Sequence, residues 1–295
     1  MRQLRGWTLV AVAALGVAVV CGSVARANPP EVQKNGIAYA KGHDAGHGPS
    51  SRVLLTYHNG GVMTSGAAVE AIFWGSSWGT YSGDKESGID TLYGGMSNTP
   101  YLRTNDEYTQ SGGAHVSPTV NYLGHTVDAS SAGSRDPGTS GVLAEVQRAL
   151  STAHVTPAPN GYYPVYTDIP RGSAGYCAWH SWGTIGSTPV QFGFFFKLDN
   201  DPGCDPADGG KLGHSQGLAA IANVSGHELS EALTDPRGAG WFDQKGAENA
   251  DKCAWTFGGN VSIGGQSWKI QGNFSNNAYN ARTGYDGAGC IQTAS

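Results

Sequence analysis

His227-Glu228-Leu229-Ser230-Glu231 places an imidazole and a carboxylate four residues apart, with Asp235-Pro236 soon after and a second acidic knot, Glu248-Asn249-Ala250-Asp251, beyond it. On a helix His227 and Glu231 share one face, the spacing that zinc peptidases use for two His ligands in H-E-x-x-H. Zinc takes imidazole nitrogen and carboxylate oxygen, and catalytic sites keep three protein ligands with a fourth position open. The expected ligands are His227, Glu231 and Glu248. Glu228, beside the pair, is the expected catalytic base that takes a proton from water attacking a carbonyl. Asp251 and Asp235 are the expected outer partners, Asp251 fixing the His227 tautomer. Glu231 stands where a second His would be, so the set is harder and more anionic than that of a two-His zinc site. One divalent ion is expected, zinc first. Calcium is the alternative or an additional ion, because Glu228, Glu231, Asp235, Asp243, Glu248 and Asp251 put six carboxylates within 24 residues of a chain that is only 14% charged.

The elements that must hold these residues can be read from pattern. Ser215 to Thr234 has Leu218, Ile221, Val224 and Leu229 on one face, and Asp235-Pro236 stops the helix. Ala67 to Trp74, Asn121 to Val127, Tyr162 to Thr167 and Val190 to Leu198 read as strands, with helices over 85–97 and Ser140 to His154 and an acidic loop from Asp199 to Asp208. Residues 241–295, rich in Gly, Asn and Trp, read as short strands and turns. This order predicts an α+β fold: one domain with a twisted mixed sheet packed on the metal-site helix, zincin-like, disulfide-stabilised and with Gly-rich loops, the chain having 45 Gly.

Arg2 and Arg5, the apolar run Trp7 to Val20 and Ala25-Arg26-Ala27 form the three parts of an export signal, cut after Ala27. Residues 1–27 are therefore expected to be a signal peptide, 28–52 a flexible polar segment and 53–295 the single domain of a secreted, extracellular protein. Losing Arg2, Arg5 and Arg26 takes the formal charge from −5 to −8. With no basic cluster, that argues against nucleic acid and against an anionic membrane surface once the signal is removed. Cys177, Cys204, Cys253 and Cys290 then remain, an even count in an exported chain, and sequential pairing is preferred among three possible connectivities. His58, His115, His125, His180 and His214 are scattered; His214, just before the helix, and His180, near Cys177, are the two that could line the site.

Tyr57-His58-Asn59-Gly60-Gly61, the strand ending Phe73-Trp74-Gly75, Glu145-Val146-Gln147, Pro159-Asn160-Gly161, Gly175-Tyr176-Cys177, the HELSE helix, Glu248 before Cys253, Tyr279-Asn280-Ala281 and Cys290 together resemble the EXORDIUM or phosphate-induced protein family, over nearly all of residues 28–295. The resemblance implies a secreted single domain with disulfides, in a family whose plant members are connected with growth and cell expansion. Two functions remain open: a metal-dependent hydrolase acting on an extracellular peptide or cell-wall substrate, or a non-catalytic extracellular carbohydrate- or protein-binding protein with a structural ion. Oligomeric state is not legible.

Overall fold

The computed structural model describes residues 33–43 and 53–294, all within one compact unit. The expected signal peptide, its cleavage point after Ala27, and residues 28–32 and 44–52 of the expected flexible segment lie outside the described residues. Residues 33–43, in the same segment, depart from that expectation: they include strand β1 (Ile37–Tyr39), with Ala38 and Ala40 buried.

The chain is mixed α+β. After β1 come the short β2 (Thr56–Tyr57), β3 (Ala67–Trp74), α1 (Lys85–Met96), β4 (Val120–Asp128), α2 (Gly138–Ala153), β5 (Gly161–Pro170), β6 (Tyr176–Ile185), β7 (Thr188–Lys197), α3 (Gln216–Thr234) and β8 (Trp241–Phe242). Six strands form one mixed sheet in the order β1-β6-β7-β5-β3-β4. β4, β3, β5 and β7 run parallel, while β6 and then β1 pair antiparallel at one end.

Helices cover both faces, so the strands read as continuous apolar runs rather than alternating ones. In β6 the alternation of side chains decides what each helix meets. Gly183 abuts Leu143 of α2, whereas His180 points the other way, to Glu228 of α3. Tyr166 of β5 joins that second face, its hydroxyl 2.7 Å from Ser225 Oγ and 3.2 Å from Tyr93 Oη of α1.

α3 begins where Ser215 Oγ accepts the Leu218 N–H at 3.1 Å and ends at Asp235, before Pro236. Every residue from Gly217 to Thr234 is buried, because the sheet lies on one side and the 241–294 segment on the other. Small residues make this possible: a Cβ on Gly226 would come within 2.7 Å of Ile270 and 2.8 Å of the Tyr101 hydroxyl. Polar groups on the outer side are met one by one, with Gln271 N–H donating to Asn223 Oδ1 and Asn273 Nδ2 to Ser230 Oγ.

Both disulfides follow the sequential pairing, Cys177–Cys204 and Cys253–Cys290, with Cα separations of 5.9 and 5.7 Å. The second closes a 37-residue span around the segment that covers α3. Replacing Cys253 and Cys290 by Ser is expected to destabilise the fold by about 2–5 kcal/mol. Thermal unfolding of the variant checks this, and an unchanged midpoint would contradict it. Among the described residues no helix is long and apolar enough to cross a membrane.

Candidate metal centre

α3 brings His227, Glu228 and Glu231 into the interior; the turn after β8 brings Glu248 and Asp251; and β6 brings His180 from beneath. All are nearly or fully buried, as is Asp235. Five carboxylates in a dry interior impose a large desolvation cost unless positive charge meets them. Lys252, also buried, is drawn 2.9 Å onto Asp243.

Two ligand-like groups share Glu231. One is His180, Glu231 and Glu248, the other His227, Glu231 and Asp251; within each group one donor atom per residue lies within 4.8 Å of the others. The expected trio of His227, Glu231 and Glu248 is thus divided, with Glu248 grouped with His180 instead. Hydrogen bonds separate the roles of the two imidazoles. His180 Nδ1 sits 3.1 Å from Glu228 Oε2, an arrangement in which Nδ1 carries the proton and Nε2 presents its lone pair. Nε2 has no hydrogen-bond partner among the described residues and lies 3.9 Å from Glu248 Oε2. Glu231 Oε2 and Glu248 Oε2 are likewise buried without a hydrogen-bond partner. One nitrogen and two oxygens, each lacking a donor or acceptor, form a set a divalent cation would complete.

His227 has the opposite polarity. The Gln271 amide is oriented by two bonds, Nε2 donating to the Ala250 carbonyl at 2.8 Å and Oε1 accepting the Trp255 N–H at 3.2 Å. Its nitrogen therefore also faces His227 Nδ1, at 2.9 Å, and Nδ1 accepts. In the neutral ring the proton is then on Nε2, which lies 3.0 Å from Glu231 Oε1 and 3.5 Å from Asp251 Oδ1 and, like His180 Nε2, is buried without a hydrogen-bond partner among the described residues. Burial alone would lower the His227 pKa, but the Glu231 charge and the contact with Asp251 raise it well above its ordinary value. His227 thus fits the role of a positioning group for Glu231 better than that of a ligand. Glu231 Oε1 also accepts the Asp251 N–H at 3.0 Å, so this oxygen is held while Oε2 turns toward the centre.

Glu228, the expected base, has both oxygens engaged: Oε2 at His180 and Oε1 accepting the Ala38 N–H at 3.0 Å. Asp251 reaches His227 as expected and also accepts the Glu248 N–H at 3.0 Å. Asp235 accepts the Ala239 and Gly240 amides at 2.7 Å each, so it shapes the turn after α3 and makes no direct contact with His227. Burial, then the Asp235 and Glu231 charges, raise the Glu248 carboxyl well above its ordinary pKa. Burial and Asp251, partly offset by His227, push Glu231 up to about 7.

The other histidines lie elsewhere. His214 stacks on Trp268, His58 on Phe242, His125 pairs with Asp90, and His115 meets the Asp106 carbonyl. Gly213-His214-Ser215-Gln216-Gly217 spells the G-x-S-x-G pattern of a nucleophile elbow, which pattern reading passes over. Ser215 is the α3 cap, its hydroxyl donating to Asp84 at 2.6 Å, and His214 Nε2 is taken up 3.0 Å from the Ser267 carbonyl. No Ser-His pair forms there. His180 is the residue that reading the helix alone could not assign. Its signal was the aromatic run Tyr176 to Ile185 followed by Gly186-Ser187, a two-residue hairpin turn with φ +62° at Gly186.

Scans against family models, curated proteins and solved structures return no match for this chain.

Proposed function

We propose that this is an exported metal protein of zincin type, a metal-dependent hydrolase acting on peptide bonds, whose centre is His180, Glu231 and Glu248. The observation that carries the reading is the convergence of buried ligand atoms without hydrogen-bond partners, one from each of these side chains, with a fourth on the neighbouring His227 Nε2. Zinc suits a mixed imidazole and carboxylate set, and calcium is the competitor that the surrounding carboxylates favour. A bound divalent cation would supply Lewis acidity toward a substrate carbonyl. Glu228 holds His180 in its ligand tautomer through Oε2, and its other oxygen, which accepts the Ala38 N–H, would be the proton acceptor once that amide is displaced. His227 and the Asp251 amide hold Glu231 in place. Export, an extracellular peptide or cell-wall substrate, and kinship with the EXORDIUM family belong to the same proposal.

A second reading, a structural ion in a non-catalytic extracellular binding protein, is favoured by the depth of the centre and by the full engagement of Glu228. Metal analysis of the purified protein, with turnover of an unstructured peptide by wild type and Glu228→Gln, separates them. The hydrolase retains its metal and loses turnover in Glu228→Gln; a structural site retains its metal and has no turnover to lose. Absence of metal from the wild type would refute both.

A further inference from the structure

Residues 35–40 lie against the centre, where the main chain of Ala38 and the Cα of Gly36 approach its side chains. The Ala38 N–H donates to Glu228 Oε1 at 3.0 Å. Gly36 lies against the ligands themselves: a Cβ there would fall 2.1 Å from Glu231 Oε2 and 2.4 Å from His180 Cε1 and Nδ1. On the sheet side, Asn35 N–H donates to the His180 carbonyl at 2.9 Å and His180 N–H to the Gly36 carbonyl at 3.1 Å. Ile37 and Ala38 pair antiparallel with Trp179 and Ala178. On the far side the Trp255 indole donates to the Tyr39 carbonyl at 2.8 Å. A main-chain ladder on a sheet edge, with small residues at the crowded points, is how an extended peptide binds by strand addition.

We propose that the outer edge of β6 is a cleft for an extended polypeptide, and that residues 35–40 are the chain's own occupant, holding the centre shut. The inference rests on the metal-centre reading and adds to it the substrate geometry and a latent state. β1 is three residues long and, among the described residues, occupies the end of the sheet with β6 as its one neighbour there. Its hold on the edge is strengthened by its tether, since a linked segment acts at an effective concentration on the order of millimolar. Displacing it would free Glu228 Oε1 from the Ala38 amide while Oε2 remained on His180. The proton acceptor and the cleft would therefore become available together.

Ala38→Pro in the full chain removes the amide that Glu228 accepts, and Gly36→Ala sets a methyl against Glu231 and His180. Each variant, metal-loaded, is compared with wild type for cleavage of a fluorescence-quenched unstructured peptide and for binding of a labelled peptide with the sequence of Gln33 to His43. At least one variant is expected to stay cooperatively folded with one metal per chain, to bind the labelled peptide where wild type does not, and to cleave about tenfold faster or more, because the closed state no longer dominates. Unlabelled peptide should return the rate toward that of wild type. Folded, metal-loaded variants that neither bind the peptide nor gain activity would overturn the cleft and leave the metal reading intact. Unfolding of both variants would also overturn it, since β1 would then be part of the fold rather than an occupant. Absence of metal from the wild type would instead remove the underlying reading.

Discussion

His180→Ala is expected to abolish stoichiometric metal binding, whereas His227→Ala is expected to weaken it and leave it measurable. The contrast follows from what Nδ1 of each ring meets, a carboxylate at His180 and an amide N–H at His227. His180 gives Nδ1 to Glu228 and leaves Nε2 without a partner, so its removal takes away the one neutral ligand and leaves carboxylates that repel one another. His227 receives the Gln271 N–H on Nδ1 and sets its Nε2 3.0 Å from Glu231 Oε1 and 3.5 Å from Asp251 Oδ1, so its removal is expected to loosen a ligand without deleting one. Losing such an outer partner costs about 10–100-fold in metal affinity. Calorimetric titration with zinc and elemental analysis of both variants make the comparison. Metal retained in His180→Ala and lost in His227→Ala would reverse the assignment and restore the ligand role that helix spacing alone suggests for His227.

Without metal, the protein is expected to lose stability as pH rises from about 5 to 8, by about 2–3 kcal/mol through Glu231 alone. The sign follows from proton binding. The Glu231 pKa is about 7 in the fold against 4.5 for the ordinary group, so between those values the folded chain holds a proton that the unfolded chain has released. Stability is therefore present below pH 4.5 and falls as pH rises through 7. Glu248 is raised in the same direction, mainly by burial and then by Asp235. His180 adds to the trend: burial alone would lower its pKa, but Glu228, followed by Glu231, raises it, and that stability too is lost toward high pH. A divalent cation should remove the decline, since it binds the ionised carboxylates and favours the folded state by mass action. Calorimetry with chelator and with saturating zinc should give melting temperatures that diverge by roughly 5–10 °C at pH 8 and converge near pH 5. A flat profile in chelator would sink the argument that these carboxylates lack a counter-charge.

The helix was legible because its instructions are local. Ser215 caps it, Leu218, Ile221, Val224 and Leu229 recur at helical spacing, and Asp235-Pro236 ends it. The strands Ala67–Trp74 and Thr188–Lys197 were legible as apolar runs bounded by turn residues. β6 was not, because it is covered on both faces and Trp179, His180 and Trp182 show no alternation of apolar and polar character. β1 was hidden in a polar Gly-rich stretch whose few apolar residues, Ile37, Ala38, Tyr39 and Ala40, are too short a run to announce a strand.

By itself, the sequence determined that His227, Glu228 and Glu231 share a helix, that acids gather around them, and that Cys177, Cys204, Cys253 and Cys290 could form two bridges. Composition and i, i+4 spacing are enough for that. Only the tertiary structure decided what Nδ1 of each imidazole meets. His180 arrives from a strand 48 residues before Glu228, and Gln271 reaches His227 from 44 residues beyond it. A histidine's role depends on what the other ring nitrogen meets, and those partners come from packing a sheet and a C-terminal cover on opposite sides of one buried helix.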